Sequence, residues 1–122
     1  MATSRSDDIP GPWTAELRLF SGRRDPRWTV DTSRARRLRA LWDELEPFGG
    51  TPQAPPPLGY RGIAATDPAG RRWDAYQGVV TLTWPGGREV RRDPPRAFER
   101  LVLETSPPGT LPEHVLELAG LT

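Results

Sequence analysis

Three arginines and an aspartate stand between two aromatic residues in the stretch FSGRRDPRW, which spans residues 20–28. The guanidinium groups of Arg23, Arg24 and Arg27 each offer a planar fork of donors that fits a carboxylate or a phosphate. The stretch is also rich in turn formers, because serine, glycine, aspartate and proline each stabilise a turn by a different mechanism. Two interpretations therefore stay open: an arginine loop that recognises a partner, or a tight connection in which Arg23 pairs with Asp25.

Aromatic residues are the second group of side chains suited to recognition, since the chain has five tryptophans and two tyrosines. Burial of such rings stabilises a core, yet tryptophan, tyrosine and arginine also dominate the energetics of protein interfaces. Trp73 and Tyr76 lie on opposite faces of one regular strand, so one of them is expected to be exposed. Trp84 borders a turn and is the best candidate for an exposed tryptophan. The predicted binding residues are Arg23, Arg24, Asp25, Arg27, Trp28, Trp73, Tyr76 and Trp84.

Side chains suited to catalysis or metal binding are scarce. The chain has no cysteine, and all 17 of its basic residues are arginine, which excludes thiolate ligands, cysteine nucleophiles and Schiff-base lysines. The single histidine, His114, is expected at the surface of a short terminal helix rather than in a metal site. Carboxylates such as Asp67 and Asp74 flank the expected strands, but the alternation brings no two of them face to face. We therefore expect no cofactor and no metal.

The charge balance argues against nucleic acid as a partner. The 17 arginines oppose 16 acidic residues, and the resulting net charge of +1 is smaller than the basic excess of most nucleic-acid-binding domains. The longest apolar run is far too short to cross a membrane, so no membrane association is expected. The N-terminal segment MATSRSDDIPGPW lacks the apolar core of a signal peptide, which predicts a cytoplasmic location.

The first third of the chain places the arginine stretch between two strands and before a helix. Residues 1–12 are polar and contain two prolines, which predicts a disordered tail, and residues 13–122 are predicted to form one domain. The segment TAELRLF alternates apolar and polar residues, as half-buried strands do, and RWTV resumes extended structure. Asp31 and Thr32 are both suitable caps for an amphipathic helix. The apolar stripe of that helix consists of Leu38, Leu41, Trp42 and Leu45.

A Pro/Gly-rich loop at residues 47–59 separates this helix from a predicted β-meander. The meander consists of a strand at YRGIAAT, a turn at DPAG, a long strand at RWDAYQGVVTLTW that bends at Gly78, and a return strand at REVRR. No helix is predicted between the successive strands, which argues against a parallel sheet. The sequence also contains no internal repeat of a whole unit.

Two helices are predicted after the meander. Asp93 caps the first, with Pro94 in the first helical position, and a capping box of Thr110 and Glu113 starts the second, which ends before Gly120. The element order predicts an α+β fold. Its antiparallel sheet has four to five strands, and two to three helices cover one face of that sheet.

The segment SGRRDPRW, residues 21–28, resembles the S-G-R-x-[ND]-P-x-W signature of small, uncharacterised bacterial proteins. In those proteins an amphipathic helix, a proline-rich segment and an aromatic β-hairpin follow the signature. The resemblance spans about residues 15–104 of this chain, and it implies no activity.

The layout is also similar, more loosely, to that of the emfourin-type inhibitors of metalloproteases. Those inhibitors are small, cysteine-free α+β chains, and the segments VDTSRARRLRALW and LGYRG fit their layout. The early double glycine typical of the inhibitors is missing, because Ser21, Gly22 and Arg23 stand in its place. The resemblance therefore assigns no inhibitory residue to this chain.

These observations favour a non-catalytic module that binds another protein through the arginine-rich loop and the neighbouring aromatic residues. An inhibitor of a protease is the sharpest form of this hypothesis, with SGRRDP or PQAPPPLG as the inserted loop. The first alternative is a small-molecule-binding or biosynthetic accessory protein, in which an aromatic pocket and an arginine hold a small anionic ligand. The second alternative is an enzyme that uses carboxylates.

Overall fold

The structure is a computed structural model, and it describes residues 11–19, 24–52, 54–55, 59–112 and 114–121. Of the tail predicted at residues 1–12, residues 1–10 lie outside the described residues, and so does the predicted binding residue Arg23. In chain order the strands are β1 (Trp13–Leu17), β2 (Arg27–Val30), β3 (Glu46–Pro47), β4 (Ile63–Thr66), β5 (Arg72–Tyr76), β6 (Val79–Trp84) and β7 (Gly87–Arg92). The helices are α1 (Thr32–Glu44), α2 (Ala97–Glu104) and α3 (Val115–Ala119).

The described strands form one open sheet of seven strands in the order β2-β1-β4-β5-β6-β7-β3. Every pair of neighbours in this sheet is antiparallel. With three helices, the chain has the predicted α+β fold.

The predicted number of four to five strands is wrong for two reasons. The long strand expected across the second half is a hairpin, because Gln77 and Gly78 both have positive φ, at 51° and 81°, and turn the chain back between β5 and β6. A two-residue turn with positive φ at both central residues has a backbone twist that matches the twist of the two flanking strands, so it favours a hairpin. In addition, Glu46 and Pro47 pair with Arg92 and Arg91 as a short edge strand, where the sequence predicted the end of a helix.

Aspartate carboxylates accept backbone N–H groups at the starts of α1 and α2. The Asp31 carboxylate accepts the backbone N–H of Arg34 at 2.8 Å, which confirms the cap of α1. The Asp93 carboxylate accepts the N–H groups of Ala97 and Phe98 at 3.0 and 2.7 Å, so it supplies the predicted capping hydrogen bonds, but Arg96 and not Asp93 occupies the N-cap position.

The prediction that Pro94 occupies the first helical position is wrong. Pro94 precedes a second proline, which disfavours helical geometry at residue 94, and α2 begins at Ala97. Thr110 does not cap α3, which begins five residues later at Val115, and Glu113 lies outside the described residues. Gly120 follows α3 with a φ of 74°, as predicted for a glycine after a helix.

The helices cover one face of the sheet. The side chains that alternate toward that face are buried together with apolar residues of all three helices, and α2 contacts β4 and β5 directly. The most deeply buried large side chains of this core include Leu17, Leu38, Trp42, Ile63, Trp73, Val80, Phe98 and Val102. The opposite set of side chains faces away from the helices, and we call the surface they form the open face.

Candidate functional site

The open face is made of the outward-pointing residues of seven strands. Most of its members have short hydroxyl or charged side chains, and few are apolar. They are Thr14, Glu16, Arg27, Thr29, Glu46, Ala64, Thr66, Arg72, Asp74, Tyr76, Val79, Thr81, Thr83, Arg88, Val90 and Arg92.

Ion pairs connect neighbouring strands on the open face. A terminal nitrogen of Arg18 lies 3.7 Å from the carboxylate of Asp74, and Arg72 Nε lies 3.1 Å from both oxygens of that carboxylate. Across β1 and β2, Arg27 lies 3.5 Å from Glu16. The side chains of Arg18, Arg72 and Arg27 are 36%, 37% and 63% exposed. Because such exposed ion pairs are weak, a charged group of a partner can replace one member of a pair.

The open face contains a broad depression of about 600 Å³ near the ends of β1, β2, β4 and β5. Hydroxyl groups of Thr14 and Thr66 lie between the charged groups of Glu16, Arg27 and Arg72 along its lining. Two prolines, Pro12 and Pro68, complete two of its walls. Its lining combines hydrogen-bonding and charged groups with apolar surface, but the depression is open to solvent and would leave a small organic molecule largely uncovered.

A smaller cavity of about 160 Å³ lies farther along the same face. Pro52 and Pro55 of the Pro/Gly-rich loop line it together with Tyr76, Val79 and Thr81. This part of the loop therefore lies against the open face. Among the described residues, none of the Pro/Gly-rich loop at residues 47–59 lines the broad depression.

The predicted arginine stretch forms part of the connection into β2. Arg24 is exposed, and Arg27 lies on the open face. Asp25 is half-buried, accepts the backbone N–H of Leu19 at 3.1 Å and lies 3.8 Å from Arg61. Asp25 thus stabilises the connection between β1 and β2, and the two interpretations of the stretch as a whole stay predictions.

Two predicted contact residues, Trp28 and Trp73, are wrong, because both side chains point into the core. Trp28 is 6% exposed, and its indole N–H donates to the Thr105 hydroxyl at 2.8 Å. Trp73 is fully buried and stacks on Trp13, with ring centroids 4.4 Å apart. Neither ring can touch a partner in this fold.

The remaining aromatic predictions fall in different places. Tyr76 is half-buried on the open face, with its ring centroid 6.1 Å from that of Tyr60. Trp84 is half-buried and packs against the core on the helix-covered side. The five tryptophans include four buried ones, so Trp84 is the most exposed of them, as predicted. The predicted binding residues are not brought together at one site.

Sequence reasoning missed a buried polar network on the helix side. The Tyr60 hydroxyl donates to the carboxylate of Glu99, which is 1% exposed, and Arg96 contacts the same carboxylate at 3.0 and 2.8 Å. Burial and the nearby charge of Glu99 raise the pKa of Tyr60 well above its ordinary value, while the hydrogen bond to Glu99 raises the pKa of Arg96. Arg96 also donates to the carbonyl of Ala119 at 2.5 Å, so the network stabilises the end of α3.

Metal-binding geometry is not found within the described part of the chain. No group of three or more histidine, aspartate or glutamate residues there is arranged to hold a metal ion. His114 is exposed and lies 3.0 Å from Glu117. Among the helices of the described residues, none combines the length and the apolar character that crossing a bilayer requires.

No protein-family model, curated protein or solved structure matches the chain. The two resemblances drawn from its sequence therefore stay predictions. The geometry of the described residues is the basis for the functional proposal below.

Proposed function

We propose that this protein is a non-catalytic interaction module that binds another protein through the open face of its sheet. The observation that carries the proposal is the contrast between the two faces. One face is filled by helices, and the other presents charged side chains and threonine hydroxyls across seven strands, with partly exposed ion pairs at Arg18–Asp74 and Arg27–Glu16. A surface of this composition suits a polar protein interface, in which hydrogen bonds and charge complementarity select the partner.

The small-molecule alternative fits the cavities less well. Ligand pockets are mostly apolar and enclose the ligand, whereas the broad depression is open to solvent and mixes threonines and ion pairs with apolar surface. The half-buried aromatic residues beside the open face lie elsewhere, Tyr76 in the small cavity of about 160 Å³ and Phe48 in a separate depression with Val79 and Arg92.

The enzyme alternative also has little support in the geometry. Asp74 is engaged by both Arg18 and Arg72, and Glu16 is paired with Arg27. A general acid or nucleophile needs a carboxylate that is aimed at the reacting atoms of a substrate, and both of these carboxylates are oriented toward arginines instead. The interaction proposal uses these same pairs directly, since a partner's charges exchange with them.

A site-specific photo-crosslinker tests the proposal. Benzoylphenylalanine replaces Thr83, which is exposed on the open face, and in a matched variant it replaces Ala40, which is exposed on α1. Both variants are expressed in the native host, checked for folding by circular dichroism and irradiated. We expect a discrete crosslinked product, identified by mass spectrometry, from the Thr83 position only.

Crosslinks from Ala40 alone would move the interface to the helix side and overturn the assignment of the open face. An absence of crosslinks from both positions, with both variants folded and irradiated in the host, would argue against the interaction module itself. Crosslinks to the same many proteins from both positions would count as nonspecific and would also argue against it.

A further inference from the structure

One end of the open face carries arginines and threonines in register across several strands. Arg72, Thr83 and Arg88 are successive pairing partners on β5, β6 and β7. Since neighbouring strands lie about 4.8 Å apart, the two arginines are separated by about 10 Å at their Cβ atoms, with the Thr83 hydroxyl between them. We call this row the arginine–threonine end, and its members are Thr29, Thr14, Thr66, Arg72, Thr83 and Arg88.

The arginines at this end have donors left for a ligand. Arg72 uses Nε for Asp74, and within the described part of the chain its two terminal nitrogens make no hydrogen bond. Arg88 is exposed and makes no hydrogen bond or ion pair with the residues that the structure describes. Each guanidinium therefore has a free edge that a carboxylate can meet with two parallel hydrogen bonds.

The charge around this end is unbalanced. Arg18, Arg27 and Arg72 pair with the two carboxylates of Glu16 and Asp74, and Arg88 adds a fourth guanidinium group. The buried carboxylate of Asp67 in the wall of the depression is balanced by Arg71 at 2.6 Å, which leaves an excess of two positive charges. A ligand that brings about two negative charges would neutralise this surface. The threonine hydroxyls between the charges donate and accept hydrogen bonds, as the backbone of an extended peptide requires.

The observations favour a peptide over a nucleic acid. Single-stranded nucleic acids bind sheet surfaces by stacking bases on exposed aromatic rings. The described aromatic residues beside the open face are Tyr76, in the small cavity, and Phe48, in a separate depression with Val79 and Arg92, and both are half-buried. The interleaved carboxylates of Glu16 and Asp74 would repel a continuous phosphate backbone. An extended peptide places every second side chain about 7 Å apart on one side, so two acidic residues can reach Arg72 and Arg88 together.

Resting on the proposed function, we infer that the partner protein presents an extended acidic segment whose carboxylates bind Arg72 and Arg88. The peptide backbone crosses the depression toward Thr66 and Thr14. The exposed pair of Arg27 and Glu16 lies at the far edge, where Arg27 is available for a further carboxylate.

Fluorescence anisotropy with defined probes tests this inference. The probe is a fluorescein-labelled decapeptide of alternating glutamate and serine, with a glutamine–serine decapeptide and a ten-nucleotide oligothymidine as comparisons. The protein is the full chain, as wild type, as an Arg72→Gln, Arg88→Gln double variant and as an Arg36→Gln, Arg37→Gln double variant. The second double variant removes the same charge from exposed positions on α1. The single variant Arg88→Gln is added because Arg88 has no described intramolecular partner whose loss could affect folding.

We expect the glutamate–serine peptide to bind the wild type and to bind the Arg72, Arg88 variant at least tenfold more weakly. The Arg36, Arg37 variant should bind within twofold of the wild type, and Arg88→Gln alone should weaken binding in the same direction as the double variant. Added salt should weaken the binding, since exposed charges are screened.

Several results would overturn the inference. These are equal losses in the two double variants, equal binding of the glutamine–serine peptide, and no binding of the acidic peptide to the wild type. Tighter binding of oligothymidine that is lost in the Arg72, Arg88 variant would reassign this end to nucleic acid. If crosslinking at Thr83 succeeds while the acidic peptide fails to bind, the proposed function stands and this inference alone fails.

Discussion

The phenol of Tyr60 donates a hydrogen bond to the carboxylate of Glu99, in a position where that carboxylate is almost completely removed from water. A buried carboxylate is strongly destabilising unless it is paired and hydrogen-bonded. Glu99 has both kinds of partner, since Arg96 contacts it from the position just before α2 and Tyr60 contacts it from the segment before β4. The chain that follows the Pro/Gly-rich loop is thereby fixed to the helix layer, on the side opposite to the open face.

Replacement of Tyr60 by phenylalanine should lower the free energy of unfolding by about 1.5–3 kcal/mol, because a buried charged acceptor loses one donor. Urea unfolding measures the effect. Tyr76→Phe is the matched control, since the Tyr76 hydroxyl makes no hydrogen bond with the described residues, and its loss should cost less than about 0.5 kcal/mol. Equal costs for the two substitutions would contradict the network.

The raised pKa of Tyr60 predicts a loss of stability at alkaline pH. Burial and then the charge of Glu99 raise its pKa in the folded protein, while the unfolded chain ionises near the ordinary tyrosine pKa of about 10. The stabilising contribution is therefore complete below about pH 10 and is lost as the pH rises beyond it, because the unfolded state then binds fewer protons. The chain has no lysine and no cysteine to titrate in the same range.

Urea unfolding of the wild type and of Tyr60→Phe at pH values on either side of 10 checks this prediction. The free energy of unfolding should fall more steeply with pH in the wild type. Tyr76 is present in both proteins, so the difference between the two curves isolates Tyr60. Parallel curves would show that Tyr60 has no raised pKa.

The fold class was predictable because it depends on hydrophobic alternation and on caps with a local mechanism. Asp31 and Asp93 were identified as caps from side chains that reach backbone groups three to five residues away. The strand number was missed where the signal is weak. A hairpin at Gln77 and Gly78 has only one glycine, and a two-residue strand such as Glu46–Pro47 has no periodicity to detect.

The candidate site was less predictable, because it depends on strand order and register. The sequence identified Arg24 and Arg27 by their density in one stretch, but it gave no sign that Arg72 and Arg88 would flank Thr83. Alternation alone says which residues share a face of one strand, and pairing across strands decides which of them meet. Trp28 and Trp73 were misassigned because an aromatic residue near a strand end is equally compatible with a core and an interface.

Gly62 should be the least replaceable of the glycines in the sheet region. Its φ is 100°, and a Cβ atom there would lie 2.6 Å from the carbonyl oxygen of Ala75. Gly62→Ala is therefore expected to cost about 2–5 kcal/mol, from backbone strain plus overpacking. Gly70→Ala is the control, since φ is 87° with open space around the position, and strain alone should cost about 1–2 kcal/mol. Thermal or urea unfolding that ranks the two variants equally would contradict the close contact.

Trp28 should act as a buried anchor and not as a contact for a partner. Trp28→Phe removes the hydrogen bond to Thr105, and Thr105→Val removes it from the other side. A double-mutant cycle of the two substitutions should give a coupling of about 1 kcal/mol in unfolding experiments. Crosslinking from Thr83 should be unaffected by Trp28→Phe. If Trp28→Phe abolished the crosslink without changing the free energy of unfolding, Trp28 would contribute to binding the partner.

Trp42 should contribute more to stability than any single exposed ion pair. Its side chain is 2% exposed, the guanidinium carbon of Arg91 lies 4.4 Å from its ring centroid, and Arg91 also donates to its carbonyl at 2.7 Å. Trp42→Ala is expected to cost about 3–5 kcal/mol in urea unfolding, because a large cavity opens between α1 and the sheet. Trp42→Phe keeps an aromatic face for Arg91 and should cost clearly less. A cost below about 1 kcal/mol for Trp42→Ala would show that α1 does not pack through this residue, since buried tryptophans rarely leave so small a deficit.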